Sequence, residues 1–126
     1  MKGMTAEWLA KAEEDYSVAG GLLRRRRVPA DSVCFHSQQA AEKFLKALLQ
    51  ERGMHFGKTH DLEGLLRLCM AAFPQLTLLA GDAQLLNDYA VRYRYPGIDA
   101  TKKQAQSAVK AAGRVRHVVL PLLKKR

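Results

Sequence analysis

The amino-acid sequence predicts an all-α protein, an up-and-down antiparallel bundle of about five helices. A chain of 126 residues is long enough for four or five helices around one core. In residues 33–49, apolar side chains gather on one wide arc at 100° per residue, which is typical of a helix lying deep in a helical core. The segments between the predicted helices are short, so successive helices are expected to be neighbours. Glycine and proline are scattered and no repeat interrupts the chain, so we interpret residues 1–126 as a single domain.

The composition favours an anionic partner. The net charge is +9, with 21 basic and 12 acidic residues, a balance that suits nucleic acid, a nucleotide or an acidic protein, or that serves solubility alone. The apolar runs are short and interrupted, so no membrane span is expected. The N-terminus lacks the apolar core of a signal peptide, so a cytoplasmic location is expected. In that compartment Cys34 and Cys69, both on apolar stripes, are interpreted as buried thiols.

The first helix is expected to begin with Thr5 as its N-cap and to run to the arginine cluster at residues 24–27. Asp15 lies in the middle of its apolar stripe, so this carboxylate must find a partner inside the protein. The four arginines suit the negative end of a helix dipole, and they are also a candidate phosphate-binding patch.

The second helix follows the turn at residues 28–31 and ends near Gly53. Its outer arc, opposite the apolar one, carries an aromatic ring, an imidazole, an amide and charged groups: Phe35, His36, Gln39, Glu42, Lys43 and Lys46. Glu42 and Lys46 form an ordinary i,i+4 pair, which fits a solvated face. The alternative is that this face meets a second subunit or an anionic ligand.

The third helix is expected to start at Thr59 as N-cap and to end at residues 73–74, with a separate short turn at 76–79. His60 beside that cap is interpreted as a helix-start residue with a local hydrogen bond. The fourth helix is expected from Asp82, and Arg92 falls at the centre of its apolar side. We therefore predict a structural ion pair between Asp15 and Arg92 within the bundle.

The fourth helix ends before Pro96, because proline disfavours helical geometry in the preceding residue. At that end Arg94 and Tyr95 could pair with and stack on a nucleotide or RNA, or form a packed turn. Asp99 is expected to cap the last helix. Pro121 should bend or fray its final turn.

Three blocks of sequence resemble one known family. FHSQQAAEKFLKALL, then Lys58-Thr59-His60-Asp61-Leu62, then Arg92-Tyr93-Arg94-Tyr95-Pro96 are similar, in this order, to the signature of the HEPN domain family, small all-α proteins. That family includes ribonuclease toxins, partners of minimal nucleotidyltransferases and nucleotide-binding modules. The resemblance covers most of the chain and implies the helical fold.

The ribonuclease members of the family use an arginine followed, after four to six residues, by a histidine, and two subunits bring these groups together. Imidazole moves protons while guanidinium holds the phosphate. No arginine of this chain has a histidine at that spacing. The four histidines also lack the i,i+4 pairing of a helical metal site, and no glycine-rich phosphate loop is present. We predict neither a metal nor a cofactor.

The resemblance and the missing motif together indicate a non-catalytic homodimer that binds a nucleotide or RNA, or that works beside a minimal nucleotidyltransferase in a toxin–antitoxin-type module. An outward-facing Phe35 favours self-association. The candidate binding residues are His36, Lys43, Lys46, Arg92, Arg94 and Tyr95. One alternative is a metal-independent ribonuclease that uses His36 or His60 with Arg92 or Arg94. Another is a purely structural partner subunit.

Overall fold

The computed structural model describes residues 1–93 and 95–124 and consists of helices, with no strand in that part of the chain. The elements in order are α1 (Gly3–Leu23), α2 (Ala30–Glu51), α3 (Leu62–Ala72), a 3-10 helix (Pro74–Leu79), α4 (Ala80–Arg92) and α5 (Lys102–Lys124). The all-α antiparallel bundle of five helices predicted from the sequence is thus confirmed.

The core is built around α2, which packs against α1, α3, α4 and α5. Phe44, Leu45, Leu48 and Leu49 on this helix are each no more than 1% exposed. Each such side chain contributes about 1.5 to 3 kcal/mol through removal of apolar surface from water. Because four helices surround α2, burial extends well beyond the apolar arc that the sequence defines.

Two helix starts differ from the predicted ones at the N-terminal half of the chain. Because α1 already begins at Gly3, Thr5 lies inside the helix and is not its N-cap. The Thr5 side chain is buried. Asp61 is the N-cap of α3 in place of Thr59, whose hydroxyl oxygen accepts the Asp61 backbone N–H at 3.1 Å.

The last two helices also begin elsewhere than predicted. The 3-10 helix passes directly into α4 at Ala80, two residues before the predicted start at Asp82. Asp99 does not cap α5. The backbone N–H of Gln104 donates to the Thr101 hydroxyl at 3.1 Å, and the Thr101 N–H donates to the Gln104 side chain at 2.8 Å. This reciprocal pair is a capping box, which satisfies two otherwise unpaired donors at the helix start.

The connection from α2 to α3, residues 52–61, returns along α2. Gly53 and Gly57 adopt φ values of 68° and 63°, a left-handed backbone that favours glycine. Phe56 packs edge-on against Trp8 of α1, with 6.0 Å between the ring centroids. This path brings His60 back beside the middle of α2.

A small second cluster of buried residues joins the end of α1 to the starts of α2 and α5: Ala19, Ala30, Val33 and Ala105. The Ala100 backbone N–H donates to the Asp31 carboxylate at 2.6 Å, which fixes the segment before α5 to the first turn of α2. Small side chains at this crossing allow the helices to approach closely.

Cys34 and Cys69 are free thiols, each 1% exposed, as the sequence predicts. In the described part of the chain, no helix is both long and apolar enough to span a bilayer.

Candidate functional site

The outer arc of α2 is divided between two networks of charged side chains. In the first, the Asp15 carboxylate of α1 contacts His36 Nδ1 at 2.9 Å through one oxygen and the Lys43 ammonium through the other. The Asp15 side chain is 14% exposed, so its charge is compensated by these two partners rather than by bulk water. His36 and Lys43, both predicted as ligand-binding residues, are therefore brought together by a carboxylate.

The predicted ion pair between Asp15 and Arg92 is wrong. Arg92 lies on the surface and contacts Asp88, one turn earlier on α4, at 2.9 Å. The physical reason is the packing arrangement, because α1 packs on α2 and α5 while α1 and α4 make no contact within the described residues. An apolar stripe predicts that a residue points inward, but not which helix it meets there.

The second network is centred on Glu42, which is 1% exposed. Its carboxylate contacts the Lys46 ammonium at 3.2 Å, the Gln38 amide at 3.2 Å and His60 Nδ1 at 3.1 Å. The i,i+4 pair of Glu42 and Lys46 is present as predicted, but it is buried instead of solvated. A carboxylate at this depth requires several partners, because its hydration is lost.

Lys46 does not lie on an outer face. It is 5% exposed, and its ammonium lies 5.2 Å from the centre of the Trp8 ring and 6.0 Å from that of Phe56. Cation–π contacts of this kind and the Glu42 carboxylate together stabilise the buried charge. The prediction that Lys46 neutralises a ligand phosphate is therefore wrong for this structure, because the loop at 52–61 and α1 cover it.

His60 belongs to the Glu42 network, although its side chain is 78% exposed. One ring nitrogen, Nδ1, contacts the buried carboxylate, and its backbone carbonyl accepts a hydrogen bond from Gln38 at 3.5 Å. The hydrogen bond of His60 is thus made to α2, not within the start of α3. A carboxylate on Nδ1 holds the imidazole in one orientation.

A cleft of about 510 Å³ opens in front of His60, between α2, α4 and the start of α3. Its apolar lining residues are Phe35, Ala90 and Val91. Its polar lining residues are Gln38, Gln39, His60, Asp61 and Asn87. Phe35 is 53% exposed and Val91 64% exposed, so the apolar wall is open to solvent. Phe35 faces outward, as the sequence predicts.

The amides of Gln38 and Gln39 connect the cleft to the buried carboxylate. The Gln39 amide donates to the Gln38 carbonyl oxygen at 2.8 Å, and Gln38 in turn donates to Glu42. This chain of hydrogen bonds fixes the orientation of both amides at the wall of the cleft. Ordered amides of this kind supply directional donors and acceptors for a polar ligand.

Asn87 of α4 forms the opposite side of the cleft. Its carbonyl oxygen accepts the Leu62 backbone N–H at 3.0 Å, and its amide donates to Asp61 at 3.1 Å and to Glu63 at 3.2 Å. Hydrogen bonds from the Gly64 backbone and from Asn87 lower the pKa of Asp61 below its usual value of 3.8. Asn87 therefore holds the start of α3 against α4.

The remaining predicted binding residues lie at the end of α4. Tyr95 is 63% exposed, and Arg92 is half exposed in its pair with Asp88. Neither lines the cleft, whereas Val91, the residue before Arg92, does. Arg94 lies outside the described residues. The described residues contain no group of three or more histidine, cysteine, aspartate or glutamate side chains arranged to hold a metal ion.

Sequence reasoning missed three polar residues of the cleft, Gln38, Asp61 and Asn87, and the two apolar ones from α4, Ala90 and Val91. Gln38 falls inside the apolar arc of α2, between Leu45 and Leu49 at 100° per residue, and Asn87 stands beside Asp88 on α4, so neither stood out as a candidate binding residue. The only sequence signal was indirect, since Asp61 and His60 stand in one of the blocks that resemble a known family.

These features define a class of protein: a small, basic helical bundle with an open cleft beside a buried network of carboxylate, lysine and histidine. The HEPN domain family model matches residues 5–124, and the chain belongs to this family.

The similarity extends to individual proteins and solved structures. The chain is 31% identical to the protein named "Putative toxin MJ1304" of Methanocaldococcus jannaschii, over 94% of this chain and 88% of that protein. The crystal structure of ST0689, described as an archaeal HEPN homologue, has a TM-score of 0.79 at 26% identity and covers 98% of this chain and 100% of its own. The crystal structure of TT1696 from Thermus thermophilus has a TM-score of 0.78 at 25% identity, and the match covers 96% of this chain and 99% of that chain.

Proposed function

We propose that this chain is the HEPN component of a toxin–antitoxin-type module, and that it binds a nucleotide or RNA without cutting it. The observation that carries the proposal is the cleft between α2 and α4. Its exposed Phe35 ring offers a surface for a base, while the Gln39 amide and the His60 imidazole offer hydrogen bonds beside it. The name of the Methanocaldococcus jannaschii relative, "Putative toxin MJ1304", supports the assignment to such a module.

The ion pairs that the basic side chains already form favour a protein that binds RNA over one that cleaves it. Lys43, Lys46 and Arg92, which the sequence assigned to phosphate, each contact a carboxylate already. A cation in such a pair attracts a phosphate less than a free one does. Among the residues that the structure describes, none that lines the cleft is a lysine or an arginine. Phosphodiester cleavage needs cationic or donor groups at the developing charge, which this cleft by itself supplies poorly.

Ligand binding is tested by thermal denaturation with ATP, GTP or a short single-stranded RNA. A ligand that prefers the folded state raises the apparent stability, by about 2.7 kcal/mol at a concentration of 100 times Kd. We expect a saturable rise in Tm, which the double variant Phe35→Ala/Gln39→Ala loses. The matched control is Gln106→Ala on the exposed side of α5. If no ligand moves the Tm, the binding function is refuted and the purely structural subunit is favoured.

The second part of the proposal is a partnership with a minimal nucleotidyltransferase, formed by a homodimer of this chain. The support is the family assignment and the exposed apolar side chains around the cleft, of which Phe35 and Val91 are the largest. Co-expression with a tagged minimal nucleotidyltransferase from the same genome should retain this chain on the affinity resin. If this chain is absent from the eluate of the tagged nucleotidyltransferase at both low and moderate salt, the partnership is refuted.

One observation favours a second candidate function, a metal-independent ribonuclease. Glu42 is buried and contacts Nδ1 of the exposed His60, an arrangement that leaves Nε2 available to move a proton at a 2′-hydroxyl. In EDTA, single-stranded RNA would then be cut by the wild type and by His55→Gln, but not by His60→Gln. His55 is the matched control because it is an exposed histidine of the same loop. Intact RNA in all three reactions favours the binding protein.

A further inference from the structure

We propose that the arginine turn at residues 24–27, together with Lys102 and Lys103, forms a second site, which binds the phosphodiester backbone of a single-stranded nucleic acid. We call this set of six side chains the basic end. It lies where α1 ends and where α2 and α5 begin. The inference does not depend on the cleft, because it rests on a different set of residues and on different contacts.

The first observation is that these cations are free. All six residues are exposed, and none of them is in an ion pair with an acidic side chain of the described chain. Elsewhere the basic residues that contact a carboxylate include Lys43, Arg114 and Arg116. The basic end is therefore a concentration of positive charge in which no cation forms an ion pair with an acidic side chain of the described residues.

The helix dipole does not account for the arginines. The last turn of α1 contains no basic residue, and Arg24 is the C-cap that follows it. A favourable interaction of a cation with the dipole falls off within the last turn of a helix. Residues 25–27 lie beyond the cap, so the helix dipole stabilises their positive charges only weakly.

The tertiary structure adds the two lysines. Ala100 is fixed to Asp31 by a hydrogen bond of 2.6 Å, which brings the start of α5 to the same end of the bundle as the arginine turn. The first turn of α5 contains Lys102 and Lys103 and no acidic residue. The positive end of the α5 dipole therefore adds to the charge of the side chains.

A shallow groove of about 390 Å³ lies between these segments and is lined by residues 28–32, 99 and 100. It contains two carboxylates, Asp31 and Asp99. Asp31 already accepts the Ala100 N–H, and Asp99 is exposed. The six cations do not line the groove, but Arg27 directly precedes its lining residue Val28 and Lys102 follows Ala100 by two residues, so positive charge stands next to both lining segments in the chain.

The chemistry of the basic end suits a phosphate backbone better than an acidic protein. Guanidinium groups bind phosphate oxygens through two parallel hydrogen bonds. Within residues 19–34 no large apolar side chain is exposed, and in the segment leading to Asp99 the exposed ones are Tyr95 and Ile98, which is less than the apolar centre that protein interfaces usually have. Tyr95, which is 63% exposed in the segment leading to Asp99, offers an aromatic face for a base of a single strand.

The test compares two triple variants that each remove three positive charges. The first is Arg25→Gln/Arg26→Gln/Arg27→Gln, and the control is Lys11→Gln/Lys58→Gln/Lys124→Gln, three exposed lysines outside the basic end. Arg24 is left unchanged because its guanidinium lies close to Gly20 at the helix end. Circular dichroism and Tm verify that both variants are folded.

Binding of a short fluorescent RNA, and of the DNA of the same sequence, is measured by anisotropy at several KCl concentrations. We expect the affinity of the arginine variant for the RNA to be at least about ten-fold lower than that of the wild type at low salt. We also expect the slope of log K against log salt to be smaller in magnitude by about 2, because each of the three lost phosphate contacts contributes roughly 0.7 to the slope. The control should keep most of the wild-type affinity and slope. Similar affinity for RNA and DNA indicates recognition of the backbone alone, whereas a preference for RNA adds a contact to the ribose. Both results support the site.

Two outcomes would overturn the proposal. If the arginine variant and the lysine control lose RNA affinity to the same extent, then net charge alone attracts the nucleic acid. Competition by poly-glutamate as strong as that by unlabelled RNA, at equal charge concentration, means that the basic end takes an acidic protein instead. The thermal shift with ATP separates this site from the cleft, because the arginine variant should keep any shift that the wild type has. A failure of the cleft proposal leaves the anisotropy result unaffected.

Discussion

At the level of single residues, Glu42 determines the local structure around the cleft. Its carboxylate connects Lys46 and Gln38 of α2 to His60 at the end of the 52–61 connection. Because both Glu42 and Lys46 are almost fully buried, each charge depends on the other for compensation. The same pair on a solvent-exposed helix would contribute only a few tenths of a kcal/mol.

Replacing Glu42 by alanine is expected to lower the free energy of unfolding by about 3 to 5 kcal/mol, because the buried Lys46 ammonium loses its carboxylate. Urea denaturation followed by circular dichroism measures the change. Glu14→Ala, at an exposed position of α1, is the control and should change stability by less than about 0.5 kcal/mol. A loss for Glu42→Ala no larger than that of the control would contradict the importance of the network.

The two thiols make a prediction about reactivity and alkaline stability. Burial, together with the charge of Asp31, raises the pKa of Cys34 from 9.0 to about 11, and burial raises that of Cys69 to about 12. The thiolate is the reactive form, so a thiol reagent at about pH 8 should react slowly with the folded protein and rapidly in urea.

The sign of the pH effect follows from the direction of these shifts. A raised pKa in the folded state means that the unfolded state releases its thiol protons first. Stability is therefore unaffected by the thiols below pH 9.0 and falls as the pH rises from there towards 11 and 12. A double Cys→Ser variant should lose this part of the alkaline destabilisation. Rapid labelling of both thiols in the native protein would show that they are accessible.

At the level of elements, the helix starts depend on local hydrogen bonds that the sequence only partly reveals. Thr101 and Gln104 form a capping box at α5, although an aspartate stands two residues before. Asp31, in the first turn of α2, also fixes the segment before α5, because its carboxylate accepts the Ala100 N–H. The start of α5 is thus set by a neighbouring helix as well as by its own cap.

Thr101→Ala should lower the free energy of unfolding by about 1 kcal/mol, because the Gln104 N–H loses its acceptor at the helix start. Ser107→Ala, one turn further along α5, is the control and should be close to neutral, since alanine favours the interior of a helix. Thermal denaturation of both variants gives the comparison. An equal effect of the two substitutions would mean that the capping box does not stabilise α5.

At the level of the whole molecule, the exposed apolar side chains predict self-association. Phe35 and Val91 stand together at the cleft and are each more than half exposed. Burial of such side chains in a second copy would remove apolar surface from water. The homodimer remains a prediction, and its test is the oligomeric state in solution.

Sedimentation velocity at micromolar concentration is expected to give a dimer for the wild type and a monomer for Phe35→Asp. Leu78→Asp is the control, because Leu78 is 64% exposed on the 3-10 helix and does not line the cleft. A monomeric wild type across the concentration range would remove the dimer from the proposed function.

The sequence by itself determined the five helices, the outward position of Phe35, the burial of both thiols and the family of the chain. These properties follow from periodicity and motifs within single segments, and the chain encodes such local patterns directly. The tertiary structure alone decided the partners of the charged residues: Asp15 pairs with His36 and Lys43, and Lys46 is covered by Trp8 and Phe56. The physical reason is that a polar arc on a helix has the same sequence whether water or a neighbouring segment covers it, and only the packing of α1 and the 52–61 connection against α2 distinguishes the two cases.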